Sequence, residues 1–433
     1  MLTKKYFKEI FEKNEKQDAT IDAIRALSVL SIVAFHVIVG IIQVFDHNKA
    51  KQYILQMPVW LQPLWHGEKG VDAFFLLSAL VIGLAFFKDS GPYKLSHAKE
   101  FLIKKFFRIY PLFLVALILY TIGQWSYFGK YFFSNLFFLN NLIPGERTII
   151  PVGWFLTVEV QYYILTPALF FVLKKVRFPG AILSFLFISS IAVCAWVLQG
   201  HPDLYLRPIT DLFLANDRGE FSSRMGRFFY EANVTRFGPF LAGFLLAYLH
   251  VNYSDKLKLF FTSATGSTTR STTRSILTLF AAFILILLPV LLPLYNPSSW
   301  YYQPFSPSLN FWVLAASRQL FAAGVMLLIL GCWYSSGAGF NIIKKVFAWP
   351  IWRPISKLSF PIYLFHFPFI AVAAVIVFGT TNTKEIENVS FLQGALIFVL
   401  AFALTFLFSI PLHLYVERLF VERPFAKSIK RRV

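Results

Sequence analysis

Ten runs of apolar residues, each long enough to cross a bilayer, decide what this chain can fold into. A helix needs about 20 mostly apolar residues to span the ~30 Å hydrocarbon layer. Such runs lie at about 22–45, 70–87, 109–128, 152–173, 179–199, 233–251, 275–295, 312–334, 360–379 and 391–416. Inside lipid every backbone donor and acceptor must be paired within the protein. The expected fold is therefore all-α, a polytopic integral membrane protein with about ten transmembrane helices. Of the 433 residues 57% are hydrophobic and only 15% charged, which excludes disorder and an ordinary soluble domain. The 51 phenylalanines suit a lipid-facing surface. Cys194 and Cys332 both sit in apolar runs, so neither a disulfide framework nor a zinc site is expected, and no metal is read into the chain. The first run contains Arg25, lacks a small-residue cleavage site and precedes many more spans, so it is not a cleavable signal peptide.

The formal charge of +19 is placed by topology. Taking connections alternately, one side of the membrane carries 28 lysines and arginines and the other 11, with Arg25 and Arg318 inside spans. Such a bias puts the richer side, and with it both termini, in the cytoplasm. The basic charge then calls for a lipid bilayer and a phosphate-bearing or anionic partner, and for no nucleic acid. The chain divides into a cytoplasmic N-terminal segment 1–20 bearing Lys4, Lys5, Lys8, Lys13 and Lys16, a transmembrane domain 21–425, and a basic cytoplasmic tail 426–433. Three connections stand out. Residues 201–231 mix acids with arginines and read as a folded cover over the outer face or as a solvated loop. Residues 262–275, rich in serine and threonine, read as a flexible cytoplasmic linker. Residues 131–143 are too short to span and are expected at the outer interface or re-entering it.

Ionisable residues inside spans are costly and usually face a bundle interior or a wet cavity. In Ile21–Gly40 the apolar run is broken by Arg25 and His36. Eleven positions at 100° each leave them ~20° apart in azimuth and about 16 Å apart along one helix face. The plain alternative is an anchoring arginine and a hydrogen-bonded interior histidine. Asp72, in GVDAFFLLS, enters the second span from the outer side and is suited to hold an arginine, orient a histidine or cap the helix. Lys104, Lys105 and Arg108, in KKFFRIYP, stand at the cytoplasmic mouth of the third span, where Lys105 and Arg108 share a face at i, i+3. They are either ordinary positive-inside flanks or an electrostatic seat for a phosphorylated ligand. Glu159, in GWFLTVEVQYY, is a carboxylate inside the fourth span, at a depth comparable with His36. A carboxylate that takes the proton of one imidazole nitrogen leaves the other as a base. Arg236, Arg318, the SFPIYLFH segment ending at His366, and the terminal Glu417 and VERPF are weaker candidates, more naturally read as structural pairs or interfacial anchors.

Taken in order, Arg25-x10-His36, GVDAFFLLSAL, KKFFRIYP, GWFLTVEVQYY, RFGPFLAGFLL, KLSFPIYLFH and VERPF resemble the acyltransferase 3 family of integral-membrane acyltransferases, from about Ile21 to Phe425. The resemblance implies transfer of an acyl group, usually acetyl, from cytosolic acyl-CoA to a hydroxyl of a sugar or glycan. It also implies a bacterial inner-membrane location, a catalytic His36 supported by Arg25, and a coenzyme A site near the basic cluster. Two positions depart from the family pattern. Lys105 stands where Arg-x-x-Arg is usual, keeping charge but losing the planar fork, and Ala79 replaces a glycine. Some members carry an extra extracytoplasmic domain; none is expected here.

The expected mechanism docks coenzyme A phosphates on Lys104, Lys105 and Arg108 and runs the pantetheine arm past Arg25. The thioester then meets His36, a general base helped by Glu159 or Asp72, or else an acyl-histidine intermediate forms. Two other classes fit the composition. A proton-coupled transporter would use the same buried charges, but the chain has no obvious inverted repeat. A non-catalytic presenting subunit would be indifferent to loss of His36.

Overall fold

The computed structural model describes residues 2–12, 18–122, 125–143, 146–207, 215, 217–262, 268–291 and 306–421. Lys13, Lys16, part of the 201–231 connection, residues 263–267 of the expected linker, VERPF beyond Val421 and the 426–433 tail lie outside them. Ten helices of 16 residues or more organise the described residues: α1 Ala19–Val44, α2 Lys69–Lys88, α3 Leu95–Ile122, α4 Gly153–Lys175, α5 Pro179–Gly200, α6 Phe237–Asn252, α7 Thr268–Leu291, α8 Pro307–Tyr334, α9 Ser359–Phe378 and α10 Phe391–Leu412. The described residues form no strand. Among the described residues, eight helices are long and apolar enough to cross a membrane. The other two expected spans fall on the second half of α3 and on the 16-residue apolar helix α6.

Local chemistry sets where the helices start. The Asp18 side chain caps α1, accepting from the backbone N–H groups of Thr20 (2.8 Å) and Ile21 (3.3 Å). Ser390 and Gln393 form a capping box at the start of α10. At the far end of α9, Gly379 takes the left-handed conformation (φ 70°) that closes a helix cheaply only without a side chain. Packing then pairs α6 with α2, α7 with α8 and α9 with α10, while α1 touches α2, α9 and α10. The α2–α6 contact depends on Gly243, because a Cβ there would lie 2.2 Å from the Leu76 carbonyl oxygen. A single aromatic-rich core, including Phe75, Phe155, Tyr162, Phe240 and Phe244, joins α2, α4 and α6.

The connections refine the expectations. The 262–275 stretch is not a linker throughout: α7 begins at Thr268, and Ser275 is buried with its hydroxyl receiving a 2.7 Å bond from Ser335. Serine and threonine hydroxyls bonded to carbonyls and to one another let a low-complexity stretch continue as helix. Among the described residues of 201–231, helical turns are stapled by two bidentate pairs, Arg207–Asp217 (2.8 and 2.8 Å) and Arg224–Asp203 (2.7 and 2.9 Å). Phe221, Met225 and Phe229 pack onto α5 and α8, so this part is a folded cover. Glu231, at its end, has its carboxyl pushed up to about 7 by burial, against the pull of Arg236. Residues 131–143 form a short helix and turns pinned by Asn135 and Asn140 against the 146–157 segment.

Candidate active site

A cavity of about 930 Å³ opens between α1, α2, α3, α4, α6, α8 and α9 on the face where α1 begins. Arg25 and Glu159 line it together with Lys105 and Arg108. The i, i+3 spacing on α3 brings the last two to one wall. Lys104, one residue and 100° away, does not line the cavity; it is exposed and pairs with Glu100. Of the three residues expected to form a seat, Lys105 and Arg108 line the cavity, together with Arg25 of α1. Arg25 and Arg108 make no hydrogen bond or ion pair with any other described residue, and Lys105 meets only aromatic faces, with Nζ 4.4 Å from the Tyr163 ring centre. These three cations share the cavity lining with Asp18, Asp22 and Glu159, but none of the three forms an ion pair with a described residue. Lys258 and His250 add to the same lining, and no motif pointed to them.

Glu159 is turned towards this cavity. It accepts a 2.5 Å hydrogen bond from the Tyr163 hydroxyl, one helical turn on, and that hydroxyl is 2.6 Å from Ser78 Oγ. Because the carboxylate only accepts, Tyr163 donates to it and Ser78 donates to Tyr163. These contacts give Glu159 a partner other than His36, the one expected of it. Depth along two spans places both residues at a similar level, but an i, i+4 bond within α4 ties Glu159 to Tyr163 and both face the basic cavity.

His36 has a different neighbour. Its Nδ1 is 2.9 Å from Nε2 of His366 on α9. His366 is fully buried, and its Nδ1 lies 2.7 Å from the Tyr363 carbonyl oxygen and 3.2 Å from that of Ile362. His36 is half-buried, between the rings of Phe35 (5.1 Å) and Phe367 (4.7 Å). The cavity ends one layer short of this pair. Phe74, Phe155 and Tyr363 line its depth, and the Tyr363 ring centre stands 6.1 Å from that of His366. Phe74 and Phe155 pack on Tyr363 at 6.1 and 5.3 Å, forming an aromatic collar between basic cavity and histidines.

Asp72 is also corrected as a partner of His36. It is fully buried against Arg236, also fully buried, at 2.8 Å. Lys69 approaches Asp72 at 3.9 Å. The guanidinium of Arg236 lies on Trp154 and Tyr230 and donates to the Tyr230 carbonyl. Of the roles open to Asp72, holding an arginine is the one found; it does not cap α2. Arg318 likewise is structural, donating to the Thr235 and Phe229 carbonyls. His413 and Glu417 pair at 2.6 Å as i, i+4 neighbours. The residue underrated from sequence is His366, whose signal was its place at the end of SFPIYLFH, on the face of α9 one turn beyond Tyr363.

The profile of the acyltransferase 3 family, described as an acyltransferase domain, matches residues 18–414. The chain belongs to this family: it is a multi-pass membrane protein built on an acyltransferase domain that occupies nearly its whole length. No curated protein and no solved structure matches it.

Proposed function

We propose that this protein moves an acyl group, of which acetyl is the expected case, from acyl-CoA to a hydroxyl of a sugar or glycan at or across the bacterial inner membrane. The observation that carries the reading is the set of unpaired cations, Arg25, Lys105 and Arg108, in a cavity of about 930 Å³. Guanidinium groups left without carboxylate partners favour phosphate oxygens, which accept charge-assisted hydrogen bonds. In this reading the cavity faces the cytosol, in keeping with the 28-to-11 charge bias. The nucleotide phosphates rest on Lys105 and Arg108, and the pantetheine arm follows α1 past Arg25 through the aromatic collar towards His36.

His36 is the base. The acceptor O–H proton passes to its free ring nitrogen as the oxygen attacks the thioester carbonyl. The C–S bond breaks, and the departing thiolate takes the proton back, leaving ester and free coenzyme A with His36 restored. Purified protein in lipid nanodiscs, given labelled acetyl-CoA and a glycan acceptor, should release coenzyme A and label the acceptor. His36→Gln keeps a hydrogen-bonding side chain but takes no proton at neutral pH, so turnover should fall about 10²- to 10⁴-fold. A folded, inserted His36→Gln protein working at near wild-type rate would overturn the reading.

A further inference from the structure

We propose that His366 is the positioning residue of the site: it fixes His36 as the Nδ1–H tautomer and thereby leaves His36 Nε2 as the base. The inference rests on the reading of His36 as the base of acyl transfer. Its argument begins at a backbone carbonyl. The oxygen of Tyr363 can only accept, so the His366 nitrogen 2.7 Å from it, Nδ1, carries a hydrogen. A neutral imidazole with Nδ1 protonated has a bare Nε2. That bare nitrogen is the atom 2.9 Å from His36 Nδ1, so the hydrogen between the rings belongs to His36. The lone pair of His36 is then on Nε2, the nitrogen that His366 does not touch.

The surroundings support this division of labour. His366 is fully buried, whereas His36 is only partly buried, so His36 is the ring of the two that can reach a reactant. The Phe35 and Phe367 rings flank His36 and oppose a ring flip that would exchange its nitrogens. Among the described residues no carboxylate hydrogen-bonds either imidazole of this pair: Glu159 is held by Tyr163, and Asp72 by Arg236. A second histidine therefore takes the orienting place that a carboxylate fills in many catalytic pairs. When His36 Nε2 gains the acceptor's proton, the Nδ1–H bond to His366 becomes charge-assisted, and the backbone carbonyl steadies the far side of His366. No net proton leaves the pair, because the thiolate recovers it.

His366→Leu keeps the apolar packing and removes the acceptor. His366→Gln restores one, since its amide oxygen can receive the His36 Nδ1–H while its NH₂ donates to the Tyr363 carbonyl. His366→Leu should lower kcat about 10- to 100-fold, the scale of a misplaced catalytic group, with KM for acetyl-CoA unchanged within about twofold. His366→Gln should recover most of the loss. Nitrogen-15 NMR of histidine-labelled wild-type protein should show His36 protonated at Nδ1, and His366→Leu should lose that preference. A His366→Leu protein with wild-type kcat beside an inactive His36→Gln overturns the positioning role and leaves the proposed function standing. An active His36→Gln overturns the function instead, and the NMR tautomer still tests the pair. If His366→Leu does not fold, a wild-type His36 protonated at Nε2 alone refutes the proposal.

Discussion

Asp72 offers the sharpest separation between a catalytic and a structural carboxylate. Replacing it with asparagine keeps its size and removes its charge, leaving Arg236 buried without its 2.8 Å counter-ion. Both side chains are fully buried, and Asp72 also steadies Lys69 at 3.9 Å. Removing one member of a buried pair costs about 3–5 kcal/mol, because the other charge is stranded. At ~2.1 cal/mol/K of unfolding entropy per residue, a chain of this length has a melting entropy of about 0.9 kcal/mol/K. The melting temperature should therefore fall by about 3–5 °C. Thermal unfolding in detergent, followed by loss of the monodisperse peak, measures it, alongside turnover of the protein that remains folded. That turnover should stay close to wild type. Asp72→Leu combined with Arg236→Met removes both charges and should melt above Asp72→Asn, since apolar replacement of a whole buried pair is often neutral or stabilising. An Asp72→Asn protein that melts within a degree of wild type yet transfers no acyl groups would refute the reasoning and return Asp72 to the chemistry.

Three further outcomes are expected. Lys105→Gln with Arg108→Gln should raise KM for acyl-CoA at least fivefold with kcat nearly unchanged, as loss of ground-state binding requires, whereas Lys104→Gln alone should change neither in a steady-state assay. Glu231, raised from 4.5 to about 7, keeps a proton in the folded protein that the unfolded chain has already lost in that window. Stability should thus fall as pH rises from about 5 to 7 and level off above; melting curves across this range should show the fall, and Glu231→Gln should remove it. Asp203 and Asp217, lowered by their arginines, act below this window and with the opposite sign. Finally, single cysteines at Asp255 and Glu220 in sealed cells should be protected from and open to an outside reagent respectively; the reverse pattern would put the basic cavity on the outer side.

The helical membrane class, the one-faced spacing of Arg25 and His36 and the i, i+3 pair Lys105–Arg108 were readable from the sequence, though eight rather than ten described helices are long and apolar enough to span. Each follows from hydropathy or from the 3.6-residue period within one helix, and both are properties of neighbouring residues. The family too was legible, because its motifs are ordered along the chain. What could not be read is which helix face meets which. The azimuth of Glu159 relative to α1 depends on how α4 is rotated, and Glu159 faces the basic cavity together with Tyr163, to which it is bonded within α4. Asp72 finds Arg236 across 164 positions of sequence, and His36 finds His366 across 330. Such partners are chosen by close packing, as where α6 presses Gly243 against the Leu76 carbonyl on α2. Periodicity orients residues within a helix, but only interhelical contact sets one helix's rotation against another. For that reason the membrane class and the list of buried ionisable groups belong to the sequence, and the division of those groups into a basic cavity, a structural ion pair and a histidine pair belongs to the fold.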